Sequence, residues 1–221
     1  MSSFLHRYAE RYPNVQVRLI EAIGWSDIQA MLERGEIHLG QTLVHAVEPG
    51  DQRFASHPFA SVELLAACNP RFTLGEQGAI EIDRLRPYPL LLLEAGYIIR
   101  RTFDAACRLA GFQPNIRFES RTPHTLLSMA DNGHGVAIIP SSLQTLGYAL
   151  RIVSVTYRGS PLREPLTLFW DKRRAQPRYA TAFCEMLADH IRDVFPITRP
   201  AEPENQRLRS RSPGRPMMSK F

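Results

Sequence analysis

The chain has 221 residues, 44% hydrophobic and 22% charged, an ordinary balance for a globular fold with a real core. No apolar run approaches the ~20 residues of a membrane span, and the amino terminus MSSFLHRYAERYP lacks the charged-then-apolar order of a secretory signal. The net charge of +5 sits mostly in residues 197–221, where six basic side chains (Arg199, Arg207, Arg209, Arg211, Arg215, Lys220) outnumber two acidic ones (Glu202, Glu204). The rest is near neutral, which argues against a basic nucleic-acid-binding domain.

In chain order, residues 3–12 read as a helix with Phe4, Leu5 and Tyr8 facing inward and Pro13 beyond its end. Residues 15–21 alternate as a strand, with Val15, Val17 and Leu19 on one face. A turn at Gly24 leads to Ser26, whose spacing to Gln29 fits a capping box. Ile28, Met31 and Leu32 then form an apolar helical stripe, Gly35 ends the helix, and residues 37–40 return as a strand. Residues 54–68 hold one or two strands, broken by Asn69-Pro70. A helical turn at 82–85 precedes a buried strand at 90–93, a helix at 100–109 closed by Gly111, and a strand at 116–119.

The passage RTPHTLLSMADNGHGVAIIPSS, residues 121–142, is the most informative. Thr122 can cap a helix and Pro123 suits its first turn. Leu126, Leu127, Met129 and Ala130 share one face, and Gly133 suits the left-handed conformation that closes a helix. Residues 136–139 are a continuous apolar run, as in a parallel strand covered on both faces. Strands at 152–155 and 166–170 and a terminal amphipathic helix at 179–194 complete the order. Repeated βα units with short turns imply right-handed crossovers and a largely parallel open sheet, in which ligands sit outside the carboxyl ends of the strands.

Catalytic and metal chemistry have little support. The seven histidines are scattered, without H-E-x-x-H or Cys/His ligand spacing, and there is no nucleophile elbow or phosphate loop. Cys68, Cys107 and Cys184 are far apart and read as buried thiols of a reducing, cytoplasmic compartment. We expect no cofactor, no metal, no membrane contact and no enzyme activity. The tail 197–221, with RSRSPGRP, reads as a disordered basic segment.

The stretches RYPNVQVRLIE, LERGEIHLG, RTFDAACRLAGFQPNIRFES and MADNGHGVAIIPSS, in this order and spacing, resemble the effector-binding domain of LysR-type transcriptional regulators. The resemblance implies two Rossmann-like subdomains around a cleft, like a type 2 periplasmic binding protein. The chain would cross between them near Asn69 and Gly159, giving subdomain I from 1–68 and 160–196 and subdomain II from 69–159. It also implies a homodimer or homotetramer. DNA would be bound only through a helix-turn-helix domain absent from this chain. The family's effector domain begins with a central strand that this sequence does not show, so a truncated or mis-started reading of a longer regulator is expected. The alternative is a type 2 solute-binding protein without a signal peptide.

In such a fold the ligand groups lie at strand carboxyl ends and helix amino ends, whose free N–H groups and dipole suit carboxylates. The candidates are Trp25 and Ser26, Thr42, Gly96 and Tyr97 with Arg100 behind them, and Thr122 opposite Pro140. Related regulators often place a small hydroxyl residue near Trp25, so the indole would fill part of the pocket. The charge of Arg100 at a helix amino end needs an anion: a ligand carboxylate, Glu94 or solvent. The expected effector is a small anion, an aromatic or short-chain carboxylate.

Overall fold

The computed structural model describes residues 2–22, 24–43 and 52–200. Helix α1 spans Ser2–Arg11 and α2 Trp25–Arg34, and strand β1 runs Gly40–Leu43. The long strand β2, Phe54–Cys68, is followed by β3, Ala79–Glu81, and a 3-10 turn at Ile82–Leu85. Then come β4 (Leu90–Leu93), α3 (Ile98–Leu109), β5 (Ile116–Ser120), α4 (Pro123–Asp131) and β6 (Val136–Pro140). Strands β7 (Arg151–Tyr157), β8 (Ser160–Pro161) and β9 (Arg163–Asp171) lead to the closing helix α5 (Arg178–Val194).

Strand β2 belongs to two sheet regions. Its first part, Phe54 to Glu63, pairs antiparallel with β9, which pairs in turn with β1. From Leu64 onward it pairs with β6 and β7 instead. The exchange falls at Glu63–Leu64, ahead of Asn69, and β9 begins pairing at Arg163, beyond Gly159. Gly159 itself, at φ +75, turns the β7–β8 hairpin. Hydrogen-bond partners thus change a few residues before Asn69 and a few residues after Gly159.

The sheet is mixed rather than largely parallel. Parallel pairs are β3 with β7 and β4 with β5 and β6. Every pair in the β1–β9–β2 region is antiparallel. The alternating residues 15–22 form no strand, and Val17, Leu19 and Ile20 are 37%, 64% and 41% exposed. Period-two patterning supplies the side-chain faces of a strand, but a ladder also needs a partner for its backbone groups. Among the described residues no strand pairs with this segment. The returning strand is Gly40–Leu43 rather than 37–40.

Three apolar clusters hold these layers. The largest joins the four leucines of β4, Val136 to Ile139 of β6, Phe103 of α3 and Leu126 and Leu127 of α4. Such a sheet, covered on both faces, explains the uninterrupted apolar runs. Phe4 and Tyr8 of α1 pack with Leu187 and Ile191 of α5 on one side of β9. Trp25, Ile28 and Leu32 of α2 pack with Phe54 and Phe169 on the other. Helix α2 lies so close to β1 that a Cβ on Gly40 would come within 2.2 Å of Ile28 Cγ2.

Candidate functional site

The carboxyl ends of β6, β4 and β5 lie side by side. Leu90 and Leu91 of β4 are in register with Val136 and Ala137 of β6 on one side, and Leu93 faces Ser120 of β5 on the other. This alignment brings Glu94 to Tyr97, Ser120 to Thr122 and the Pro140–Ser141 end to one edge. Helices α3 and α4 both start there. Their caps, Tyr97 and Thr122, are extended, and neither makes a side-chain hydrogen bond to its helix. Two helix amino ends therefore present N–H groups at one sheet edge, without a side chain to satisfy them.

The rim is held by short local bonds. Ser120 Oγ accepts from the Thr122 N–H at 3.0 Å, and the Tyr97 hydroxyl donates to the Arg121 carbonyl at 3.0 Å. Arg121 Nε donates to Glu94 at 2.9 Å across the same edge. Gly96 is exposed with open space around its Cα, while Thr122 is exposed and Pro140 half-buried. Gly96, Tyr97, Thr122 and Pro140 are thus brought together.

Arg100 is not available as expected. Its side chain is 8% exposed, and Nε contacts both oxygens of Asp104 at 2.9 and 3.0 Å. Nη1 donates to the Leu93 carbonyl at 2.7 Å and also to Glu119. Burial opposes the charge, but the Glu119 and Asp104 carboxylates outweigh it and raise the pKa. The carboxylates paired with Arg100 at this helix end are Asp104 and Glu119 rather than Glu94.

The subdomain I candidates also depart from expectation. Trp25 is 9% exposed and packs edge-on against Phe54 at 5.3 Å and tilted on Phe169 at 4.9 Å, so the indole fills a core. The helix begins at Trp25 with Gly24 as its cap; Ser26 is exposed on the first turn and caps nothing. A large aromatic followed by Ile28 and Leu32 wins burial, and this draws the helix start two residues earlier. Thr42 is 7% exposed inside β1, opposite Thr167 of β9. Among the described residues, no hydrogen bond or ring contact joins Ser26 or Thr42 to the edge formed by β4, β5 and β6. Residues 44–51 and Ile23, which flank these positions, lie outside the described residues.

Sequence reasoning missed the junction behind the edge. Ser141, 1% exposed, donates its N–H to the Glu63 carbonyl at 2.8 Å, and its Oγ accepts from the Glu63 N–H at 3.0 Å. The Glu63 carboxylate accepts from Ser154 Oγ and, at 3.1 Å, from Arg163 Nε. Glu63 thus ties β2, β6, β7 and β9 where β2 changes partners. One carboxylate within the apolar run ASVELLAAC was the available signal.

A cavity of about 470 Å³ runs along the flank of α3, between Ile98, Thr102 and Leu109 and the β7–β9 residues Tyr157, Leu162 and Glu164. None of the eight expected site residues lines it, so it is separate from the strand-end site. Cys68 and Cys107 are buried and Cys184 half-buried; burial pushes their thiols up to about 11, about 12 and about 11. Among the described residues no cluster of His, Cys, Asp and Glu could hold a metal, and no helix is long and apolar enough to cross a membrane.

Two sheet regions sharing a long strand, with helices on both faces, have the architecture of effector-binding domains of the type 2 periplasmic-binding-protein-like fold. The sequence profile described as the LysR substrate binding domain matches residues 1–192, and the chain belongs to that family. The uncharacterized HTH-type transcriptional regulator YcgK of Bacillus subtilis (strain 168) is 26% identical over 209 residues, covering 86% of this chain and 63% of its own. The HTH-type transcriptional regulator IlvR of Caulobacter vibrioides is 27% identical over 190 residues, 80% of this chain and 59% of its own. The chain thus spans less than two thirds of these relatives. The C-terminal domain of a probable LysR family transcriptional regulator from Rhodococcus sp. RHA1 superposes with a TM-score of 0.72 at 19% identity, over 85% of this chain and 91% of that one. The effector binding domain of QuiR in complex with shikimate superposes at 0.71 and 12% identity, over 88% and 91%. The relatives are regulators, not enzymes.

Proposed function

We propose that this chain is the effector-sensing portion of a LysR-type transcriptional regulator and takes a small carboxylate between subdomain I, residues 1–68 and 160–196, and subdomain II, residues 69–159. The observation that carries the reading is the pair of uncapped helix amino ends, α3 and α4, at one sheet edge beside Tyr97 and Ser120. Aligned N–H groups and dipoles favour an anion, and charge-assisted hydrogen bonds contribute about 1.5–3 kcal/mol each. The shikimate of the QuiR domain, a hydroxylated carboxylate, fits the same chemistry. Ser26, exposed on the first turn of α2, would meet the ligand from the opposite wall. Binding alters transcription only as far as the ligand distinguishes two subdomain or subunit arrangements. DNA contact would belong to a helix-turn-helix domain of the longer protein, and the chain would act in the cytoplasm as a homo-oligomer.

A thermal-shift series with small carboxylates, shikimate included, against their neutral amides tests this. A ligand at one hundred times its dissociation constant adds about 2.7 kcal/mol. Carboxylates should raise Tm, amides should not, and Ser120→Ala should reduce the rise. Equal shifts from acid and amide, or shifts indifferent to Ser120→Ala, Thr122→Ala and Ser26→Ala alike, would remove the anion site from this edge.

A further inference from the structure

The chain does not leave the fold at the end of α5. Phe195 donates its N–H to the Ile191 carbonyl at 2.9 Å and packs against both the α1–α5 cluster and the large cluster of the β4–β6 region. Three residues later Thr198 is 5% exposed. Its N–H donates to the Ser141 carbonyl at 3.0 Å, and its hydroxyl donates to the Leu143 carbonyl at 2.6 Å. The same hydroxyl lies 3.2 Å from Thr145 Oγ1, which can donate to it. The expected disordered tail from 197 thus begins with a docked residue.

Its docking point is particular. Helix α5 packs beside β9 and α1, whereas Ser141 to Thr145 follow β6 at the strand-end edge. Ser141 is also the residue bonded to Glu63, at the point where β2 passes from one sheet region to the other. Two strand crossings, in β2 and before β9, already join the regions. The segment from 195 to 198 is a third connection, and it bonds to the loop on which a change of angle at Glu63 acts most directly. Any rotation of the β6 loop away from α5 must lengthen or break the Thr198 bonds.

We propose that residues 195–198 form a strap that fixes the angle between the two sheet regions, so that opening or closing requires its release at Thr198. This needs no ligand at the strand-end site and stands or falls separately from the proposed function. Two strands alone make a hinge; a third tether off their line removes its rotational freedom.

Spin labels at Glu10→Cys on α1 and Arg108→Cys on α3, both exposed positions, report the distance between the regions by double electron–electron resonance. The parent chain without these cysteines gives the background from native thiols. The doubly labelled chain should give a single narrow distance peak. Thr198→Val, which removes the hydroxyl at nearly constant volume, should broaden or shift it, and a chain ending at Phe195 should do so further. Thr198→Ser should return the narrow peak, and circular dichroism melts establish that each variant is folded. An unchanged peak in both folded Thr198→Val and the shortened chain would overturn the strap. A broadened peak that Thr198→Ser does not restore would overturn the role of its hydroxyl.

Discussion

At Arg100 a cation on the first turn of a helix would be unfavourable alone, and Asp104, Glu119 and the Leu93 carbonyl together offset it. Arg100→Gln leaves these acceptors without a cation, and we expect a loss of about 2–3 kcal/mol, less than for a fully buried pair because Glu119 is half exposed. Chemical denaturation measures it; a loss under 0.5 kcal/mol (roughly the surface-substitution range) would mean that the ion cluster is not structural. Asp171 is the clearest titrating group. Its carboxylate accepts from the Arg173 side chain at 2.9 and 2.8 Å and from the Arg173 N–H at 2.9 Å. The Arg173 side chain, helped by its backbone N–H against the cost of burial, lowers the pKa from 3.8 to about 2. The folded value lies below the unfolded one, so the stabilisation is complete above about pH 4 and disappears as pH falls through 2. With Arg173 half exposed, Asp171→Asn should cost about 1–2 kcal/mol at pH 7 and nearly nothing at pH 2. A cost that does not change between those pH values would count against the assignment. The thiols raised to about 11 and 12 should resist a thiol reagent at pH 8 until the protein unfolds.

Among the elements, β5 is exposed along most of its length: Ile116 and Phe118 are 38% and 39% exposed, and among the described residues only β4 pairs with it. An edge strand with outward apolar side chains is a template for association. Phe118→Glu should weaken self-association in sedimentation experiments while leaving Tm within a few degrees; an unaltered association constant would place the subunit contact elsewhere. Elements were legible where one local rule decided them. The leucines of β4 and the apolar run of β6 are buried at their predicted positions, and Pro123 and Gly133 bound α4 as read, while Thr122 holds the cap position without a side-chain bond to the helix. Errors arose where a distant partner decided the outcome. Residues 15–21 have the alternation of a strand and, among the described residues, no ladder to join. Ser26 has the spacing of a capping box, but burial of Trp25 against Phe54 and Phe169 outweighs it. At Gly40, a Cβ would meet Ile28, so Gly40→Ala should cost about 1–3 kcal/mol by overpacking α2 on β1.

Over the whole molecule, the architecture was readable because loop, helix, turn and strand recur in a fixed order. The site was readable only in part. Gly96, Tyr97, Thr122 and Pro140 meet because strand carboxyl ends and helix amino ends are local features of βα units. Glu63, Ser141 and Thr198 went unseen because their partners lie far along the chain, and no local pattern records that Glu63 will bond to Ser154 and Arg163.

Glu63 and Arg163 are paired in register across 100 residues of chain. The chain between them forms β3 to β8 and the second part of β2, so the β2–β9 ladder closes around an insertion. Nearer pairs such as β4 with β5 need only a single helical crossover to form; the β2–β9 ladder must wait until the intervening chain has collapsed and brought its ends together. The order of assembly is therefore written into the topology. In pulsed hydrogen exchange during refolding, amides of β4 and β6 should be protected before those of β9 and the first part of β2. Protection of β9 first would reverse that order. A nascent chain emerging from the ribosome would then complete the β4–β6 region while its amino-terminal part still lacked the strand that closes it.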